Sequence, residues 1–283
     1  MTAEQPLTGR SALVVGGGQA PGETIGNGRA VAIELARRGA VVVVADRDHD
    51  SARETVDLVT AAGGRGWAIA ADISVDADCE RLAARAEELT GGVDVLHNNV
   101  GIMVGGTSAE LTVEAWRRSF DVNLTGTWMM CRAVLPGMRQ RGSGAVVNVS
   151  SLASLTAGPR TIAYSVSKAA VNAMTRALAL ENAPSGVRVN AILPGLIDTP
   201  MGVDGPAASS GLDRAEVARR RAAMAPMGFQ ATAWDIARVA AFLVGDDARF
   251  ITGALLPVDG GSSLQSGTAG APWLGDGTAQ AGR

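Results

Sequence analysis

The sequence predicts an α/β protein with a seven-stranded, doubly wound parallel sheet and helices on both faces. Three observations predict it. Short β-branched runs alternate strictly with longer stretches of helical period along the 283 residues. Several of those runs, VVVVAD from Val41 to Asp46 among them, are apolar at successive positions, as strands buried on both faces must be. The first run feeds a glycine-rich stretch, VVGGGQAPGETIGNGRA from Val14 to Ala30, which passes straight into a helix-like segment.

In chain order, the first strand is expected over Ala12–Val15 and the first helix over Arg29–Arg38. A strand at Val41–Ala45 and a helix at Ser51–Ala62 follow, then Trp67–Ala71 with Ala77–Leu89, and Val93–His97. The periodicity from Val113 to Met138 reads as one long helix, followed by a strand at Ala145–Val149 and a helix at Ile162–Asn182. Strands at Val187–Leu193 and Ala254–Val258 complete the seven. Right-handed crossovers link parallel neighbours in such a sheet. Two stretches break the rhythm. Pro200–Gly211, rich in Gly, Ala, Ser and Pro, together with the charged run Asp213–Arg221, is expected to form a mobile lid at about 200–226. The chain from Ser262 to Arg283 is expected to be a weakly ordered tail, leaving one domain over 9–261.

Composition narrows the function classes. A formal net charge of -3 and the absence of clustered Lys and Arg interleaved with aromatics argue against a nucleic-acid partner. No apolar run approaches the length of a bilayer span, so no membrane helix is expected. The N-terminal MTAEQPLTGR has no basic flank followed by an apolar core, and two cysteines make no disulfide framework, so the cytoplasm is the expected compartment.

A glycine-rich turn between the first strand and first helix of such a sheet lets backbone N–H groups approach a pyrophosphate at the helix N-terminus. Gly17 is expected to make the turn, and Gly26 and Gly28 to allow close approach and helix packing. Asp46 closes the second strand, where a carboxylate accepts hydrogen bonds from ribose hydroxyls and repels a 2′-phosphate. That favours NAD. Arg47 beside it is what a phosphorylated ribose would want, so NADP stays open.

The chemistry lies in SSLASLTAGPRTIAYSVSK. Tyr164 and Lys168 are four apart in a helical stretch and share a face, and Ser151 ends the strand GAVVNVS, where parallel sheets place their ligands. A free phenol has a pKa of about 10. An ammonium at about 4 Å is worth roughly 4 kcal/mol at an effective dielectric of 20. Lys168 is therefore expected to poise Tyr164 near neutrality as an acid/base, with Ser151 holding the substrate oxygen.

Taken together these residues resemble the short-chain dehydrogenase/reductase family, over Gly9 to Gly261. The resemblance rests on the glycine-rich loop, Asp46, AADI with Asp72 and Ile73, NNVG from Asn98 to Gly101, Asn123, NVSS ending at Ser151, YSVSK, PGLIDTP and VDGG. It implies a Rossmann-type fold, catalytic roles for Ser151, Tyr164 and Lys168, and a proton relay anchored by Asn123. It further implies that Gly17, Gly26, Asn27, Asp46, Arg47, Asp72, Ile73, Asn99, Gly101, Tyr164, Lys168, Pro194, Gly195, Ile197 and Thr199 hold the dinucleotide. In the family the residue matching Asp72 meets adenine, and the segment of Ile197 and Thr199 meets the nicotinamide carboxamide. Tetramers through the two long helices are also implied, and the Thr161–Glu181 helix, with only three charged residues, is expected to bury both sides.

Three departures stand out. The family usually writes TGxxxGIG, whereas here Gly16 replaces the threonine and eight residues separate Gly17 from Gly26. The five extra residues fall around Gln19–Thr24, because the first helix aligns without a gap. Asn27 stands where an aliphatic residue is usual, with Gln19 or Thr24 available to reorganise the phosphate contacts. Val100 enlarges the usual alanine of NNAG and is expected only to adjust packing.

The function expected is an NAD-dependent interconversion of a secondary alcohol and a ketone. The alternatives are an NADP-dependent carbonyl or 3-oxoacyl reductase, or a nonenzymatic dinucleotide sensor. Met103, Leu152, Ala153, Leu196 and the lid beyond Met201 form an expected apolar pocket, which favours an apolar or cyclic substrate. His49 and His97 lack metal-ligand spacing, Cys79 and Cys131 read as packed helix residues, and Trp116 and Trp128 read as packing.

Overall fold

The computed structural model describes residues 6–265. Of the expected tail, Ser262–Leu264 forms one 3₁₀ turn, and the part beyond residue 265 lies outside the described residues. In chain order the strands are β1 (Ser11–Val15), β2 (Val41–Asp46), β3 (Arg65–Ala70), β4 (Val95–Asn98), β5 (Gly144–Val149) and β6 (Val187–Pro194). Three more follow: β7 (Ile197–Asp198), β8 (Ala231–Thr232) and β9 (Leu255–Val258). The helices are α1 (Asn27–Arg37), α2 (His49–Ala61), α3 (Asp76–Thr90), α4 (Val113–Phe120) and α5 (Thr127–Arg141). They continue with α6 (Ile162–Asn182), α7 (Gly205–Ser210), α8 (Arg214–Met224) and α9 (Ala233–Val244).

One parallel sheet of seven strands runs β3-β2-β1-β4-β5-β6-β9, and β7 pairs with β8 in a separate two-residue ladder. The strand order reverses direction between β1 and β4, the switch point where such sheets open a crevice at their carboxyl ends. The two-residue period of the strands divides the core. Ala12, Val14, Val42 and Val44 face one way, against α1, α2 and α9. Leu13, Val15, Val43 and Ala45 face the other, against α3, α5 and the end of α6.

Several boundaries differ from the sequence expectation. β3 begins at Arg65 and ends before Ala71, because an edge strand with one wet face loses the apolar signature. The single helix expected over Val113–Met138 is instead α4 and α5 joined by a π-helical turn at Asp121–Gly126. Apolar periodicity does not distinguish an i→i+5 turn, and such turns cluster at functional sites. Gly126 is required there, since a Cβ on it would sit 2.7 Å from the Ile73 carbonyl oxygen. The stretch expected as a lid loop is helical: Thr199 caps a π turn at Pro200–Asp204, and Asp213 caps α8 through the N–H of Ala215. The outer face of α6 is not covered in the single chain, where Ile162, Val166 and Leu180 are exposed. Trp116 stacks on Phe120, but Trp128 is exposed beneath the Arg132 guanidinium. No helix among the described residues is long and apolar enough to cross a membrane.

Candidate active site

The crevice starts at the end of β1. Gly16, with φ of +75°, makes the turn, not Gly17. Gly17 instead packs against the sheet, where a Cβ would lie 2.7 Å from a Val44 methyl carbon. A Cβ on Gly28 would come 2.0 Å from the Gly16 carbonyl oxygen, so α1 can approach the turn only through glycine. Gly26 is the N-cap of α1 and has no such neighbour: the atom closest to a Cβ there, on Gln19, is 3.7 Å away. No side chain caps α1 and no acidic residue occupies its first turn, so its leading N–H groups and positive dipole end face the crevice. Asn27 adds a buried side-chain oxygen without a partner. This glycine cradle fits a pyrophosphate.

Side chains beyond the usual motif tie the loop down. Gln19 accepts the Gly26 N–H through Oε1 at 2.8 Å, and its own N–H and carbonyl both bond to the Ser51 hydroxyl. Thr55 donates to the Gly17 carbonyl at 2.8 Å and accepts from the buried Arg29. Gln19 thus ties the loop both to the start of α1 and to α2. Asp46 Oδ2 accepts the Gly18 N–H at 3.0 Å, while Oδ1 accepts from Asp48. Gly18 is part of this site and was not singled out in the sequence; a Cβ there would lie 2.8 Å from the Asp46 carboxylate. Arg47 is exposed.

Asn99 closes the switch point by donating to the Gly16 carbonyl at 2.9 Å. Asp72 is more engaged than expected: it accepts from the Ser74 N–H and hydroxyl, with Arg118 4.0 Å away. The Ser74 hydroxyl is the leading reason that its carboxyl sits below the usual range. The Ile73 side chain is buried in the core beside Gly126. At the other end, a Cβ on Gly195 would lie 2.6 Å from Asp259 Cα, Ile197 is buried, and the Thr199 hydroxyl caps the turn after β7. Pro194 ends β6.

The four chemistry-bearing side chains converge at the carboxyl end of β5. Ser151 follows that strand; its hydroxyl accepts the Ala153 N–H at 3.1 Å and lies close enough to the Tyr164 phenol to lower its pKa. Lys168, 2% exposed, donates from Nζ to the Val149 carbonyl at 2.9 Å, and its Nζ is 5.9 Å from the Tyr164 ring centre. Gly101 lets the chain pass close to that amine, since a Cβ there would be 3.0 Å from Nζ. Asn123, buried in the π turn, clamps Ile102 by accepting its N–H at 2.8 Å and donating to its carbonyl at 3.0 Å. It also donates to Ser167, a contact the motif did not announce. The Asn123 carbonyl accepts from the Thr127 hydroxyl at 3.0 Å.

The electrostatics correct one expectation. Burial raises the Tyr164 pKa above that of a free phenol, and the neighbouring Ser151 hydroxyl pulls the other way. Lys168 does not bring the phenol to neutrality here, because its amine is turned onto the Val149 carbonyl. Its own pKa is pushed down to about 8 by burial. Away from the crevice, burial pushes the Cys79 and Cys131 thiols up to about 11 and about 12, which leaves both protonated. His49 opens α2 on the surface, and His97 lies wholly buried in β4. Two cavities of about 370 and 430 Å³ lie elsewhere, the first lined by Glu87 and Arg141 and the second by Arg10 and Phe250. Neither touches the Ser151–Tyr164 pair.

Comparison with known proteins agrees with this geometry. Residues 23–263 match a family model described as Enoyl-(Acyl carrier protein) reductase. The chain is 36% identical to 3beta-hydroxysteroid dehydrogenase 1 of Eggerthella lenta, over 92% of this chain and 96% of that one. It is 35% identical to 2,5-dichloro-2,5-cyclohexadiene-1,4-diol dehydrogenase of Sphingobium indicum, over 91% and 98%. Among solved structures, a putative short-chain dehydrogenase/reductase from Burkholderia xenovorans superposes with a TM-score of 0.87 at 41% identity, covering 93% of this chain and 100% of that one. The chain belongs to the short-chain dehydrogenase/reductase family, whose members work with nicotinamide dinucleotides.

Proposed function

We propose that the protein is an NAD-dependent dehydrogenase that interconverts a secondary alcohol and a ketone. The observation that carries it is the Ser151 hydroxyl beside the Tyr164 phenol, with the buried amine of Lys168 one helical turn further on. When bound, the dinucleotide supplies the hydride acceptor or donor. Toward the alcohol, Tyr164 donates its phenolic proton to the carbonyl oxygen, which the Ser151 hydroxyl holds in place. Toward the ketone, Tyr164 would take the hydroxyl proton as the phenolate, a state that the positive charge of an oxidised nicotinamide would favour. Lys168, with its pKa near neutrality, passes that proton on. Asn123 holds the Gly101–Ile102 backbone against Lys168, so the floor of the site keeps its shape.

The α1 terminus, Gly18 and Asp46 would hold the adenosine half, and Gly101, Pro194, Gly195, Ile197 and Thr199 the nicotinamide half. The carboxylate of Asp46, held by two backbone N–H groups, supports NAD over NADP. The exposed side chains of Met103, Leu155 and Met201, on the segments after Gly101, Ser151 and Thr199, support an apolar or cyclic substrate. The two named relatives act on a steroid and a cyclohexadiene diol, which points the same way. Enoyl reduction fits less well, because YSVSK keeps a three-residue spacing with Ser151 present. Apolar surface on α6 and at Trp128 supports a homotetramer, at work in the cytoplasm. Following reduced-nicotinamide absorbance across a panel of cyclic and acyclic secondary alcohols and ketones tests the reading; silence across the panel would favour a dinucleotide sensor.

A further inference from the structure

The five extra residues of the glycine-rich loop reach away from the phosphate cradle, toward the segment that follows β6. The Glu23 N–H donates to Asp204 Oδ1 at 3.1 Å, and the Thr24 hydroxyl donates to Asp198 Oδ1 at 3.3 Å. A Cβ on Gly22 would lie 2.8 Å from Pro200. Arg214, at the start of α8, sits between the two segments. Its guanidinium reaches Asp198 at 2.5 Å, Asp204 at 3.3 Å, Glu23 at 3.6 Å and the Thr24 hydroxyl at 3.3 Å. Side-chain exposures of 20%, 26% and 17% for Arg214, Asp198 and Asp204 make this a partly dehydrated hub, less screened than a surface pair.

The segment needs such a fastening. Its apolar contacts, Val203, Ala207 and Val217, form a cluster separate from both main cores. The two-residue ladder of β7 with β8 joins the stretches on either side of it.

We propose that the five-residue expansion is a strap that fastens the substrate-side segment 200–224 to the phosphate-binding loop, with Arg214 as the positioning residue at the junction. This rests on reading the site as a dinucleotide-dependent oxidoreductase. The dinucleotide half and the substrate half are then held as one body, and loosening either loosens the other. Arg214 acts through Asp198, Asp204, Glu23 and Thr24.

Hydrogen–deuterium exchange of the full chain without dinucleotide tests the fastening independently of catalysis. Arg214→Gln is expected to raise exchange about tenfold in both 19–26 and 200–224 and to leave 162–182 unchanged. Arg214→Lys is expected to restore part of the protection, because it keeps the charge but not the fork. Deleting Ala20–Thr24 is expected to loosen 200–224 as well, and adding Arg214→Gln to that deletion is expected to cost clearly less than it does in the full chain, because only the Asp198 and Asp204 pairs then remain to be lost. In turnover assays Arg214→Gln is expected to raise the substrate KM about tenfold with kcat changed less than twofold. Should Arg214→Gln not fold, Thr24→Ala with Glu23→Gln replaces it and is expected to loosen both segments. Exchange raised in 200–224 alone, or additive effects of deletion and substitution, would overturn the proposal. Coupled exchange in a protein that binds no dinucleotide would uphold the strap and remove the oxidoreductase reading instead.

Discussion

A Cβ on Gly16 would lie 2.8 Å from Val100 Cγ2 and 2.9 Å from the Val100 backbone nitrogen. The glycine in place of threonine and the valine in place of alanine are therefore one steric arrangement, in which Val100 fills the space that a side chain at position 16 would claim. Val100 does more than adjust packing.

Gly16→Ala forces a side chain into that contact at a φ of +75° and is expected to cost about 1–3 kcal/mol of stability. Adding Val100→Ala is expected to recover only part of the loss, because the backbone nitrogen remains in the way. Urea midpoints of the two variants check this.

Asp46 is held by the N–H groups of Gly18 and Asp48, so its carboxylate stays directed at the crevice. Asp46→Ala is expected to cut the preference for NAD over NADP by at least about tenfold, near 1.4 kcal/mol. Titrating both dinucleotides against both proteins by fluorescence gives the ratio.

His97 is fully buried, neither ring nitrogen has a partner, and burial lowers its pKa to about 4. Its unfolded value is near 6.5, so the unfolded chain binds the proton first as pH falls. The stability contributed by the neutral ring is complete above about pH 6.5 and is lost between there and pH 4, by up to about 3 kcal/mol. His97→Leu is expected to flatten that part of the pH–stability curve. Unfolding midpoints at pH 7 and pH 4.5 decide it.

Asn123 spans the backbone of Ile102 and the hydroxyl of Ser167. Asn123→Ala leaves the half-buried Ile102 N–H and carbonyl without this partner and is expected to lower the melting temperature and to reduce kcat more than substrate KM. Steady-state kinetics beside a thermal melt separate the two effects.

All seven strands of the main sheet were legible, the five inner ones because β-branched runs buried on both faces leave a two-sided apolar signature, the half-exposed edges β3 and β9 from shorter apolar runs. The candidate quartet was locatable too: Ser151, Tyr164, Lys168 and Asn123 sit in short motifs with fixed spacing, and the fold brings them to one strand end. What stayed hidden depends on distant pairing. Gly18 faces Asp46 across 28 residues, and Arg214 joins Glu23 to Asp198 across 175 or more, with no local pattern to announce either. The π turn was invisible because it keeps the helical period nearly unchanged. By contrast, α9 had a readable signal that went unused, the Thr232–Asp235 capping box.

The central claim is that the phenol of Tyr164 exchanges the substrate proton. Single-turnover absorbance of the reduced nicotinamide, with Tyr164→Phe beside the unchanged protein and a shared active substrate, tests it most directly. The account predicts a fall of at least about 10³-fold in the rate, within the range attributed to one positioned acid/base group, with dinucleotide affinity within about threefold of the original. Turnover retained in the phenylalanine variant would contradict it.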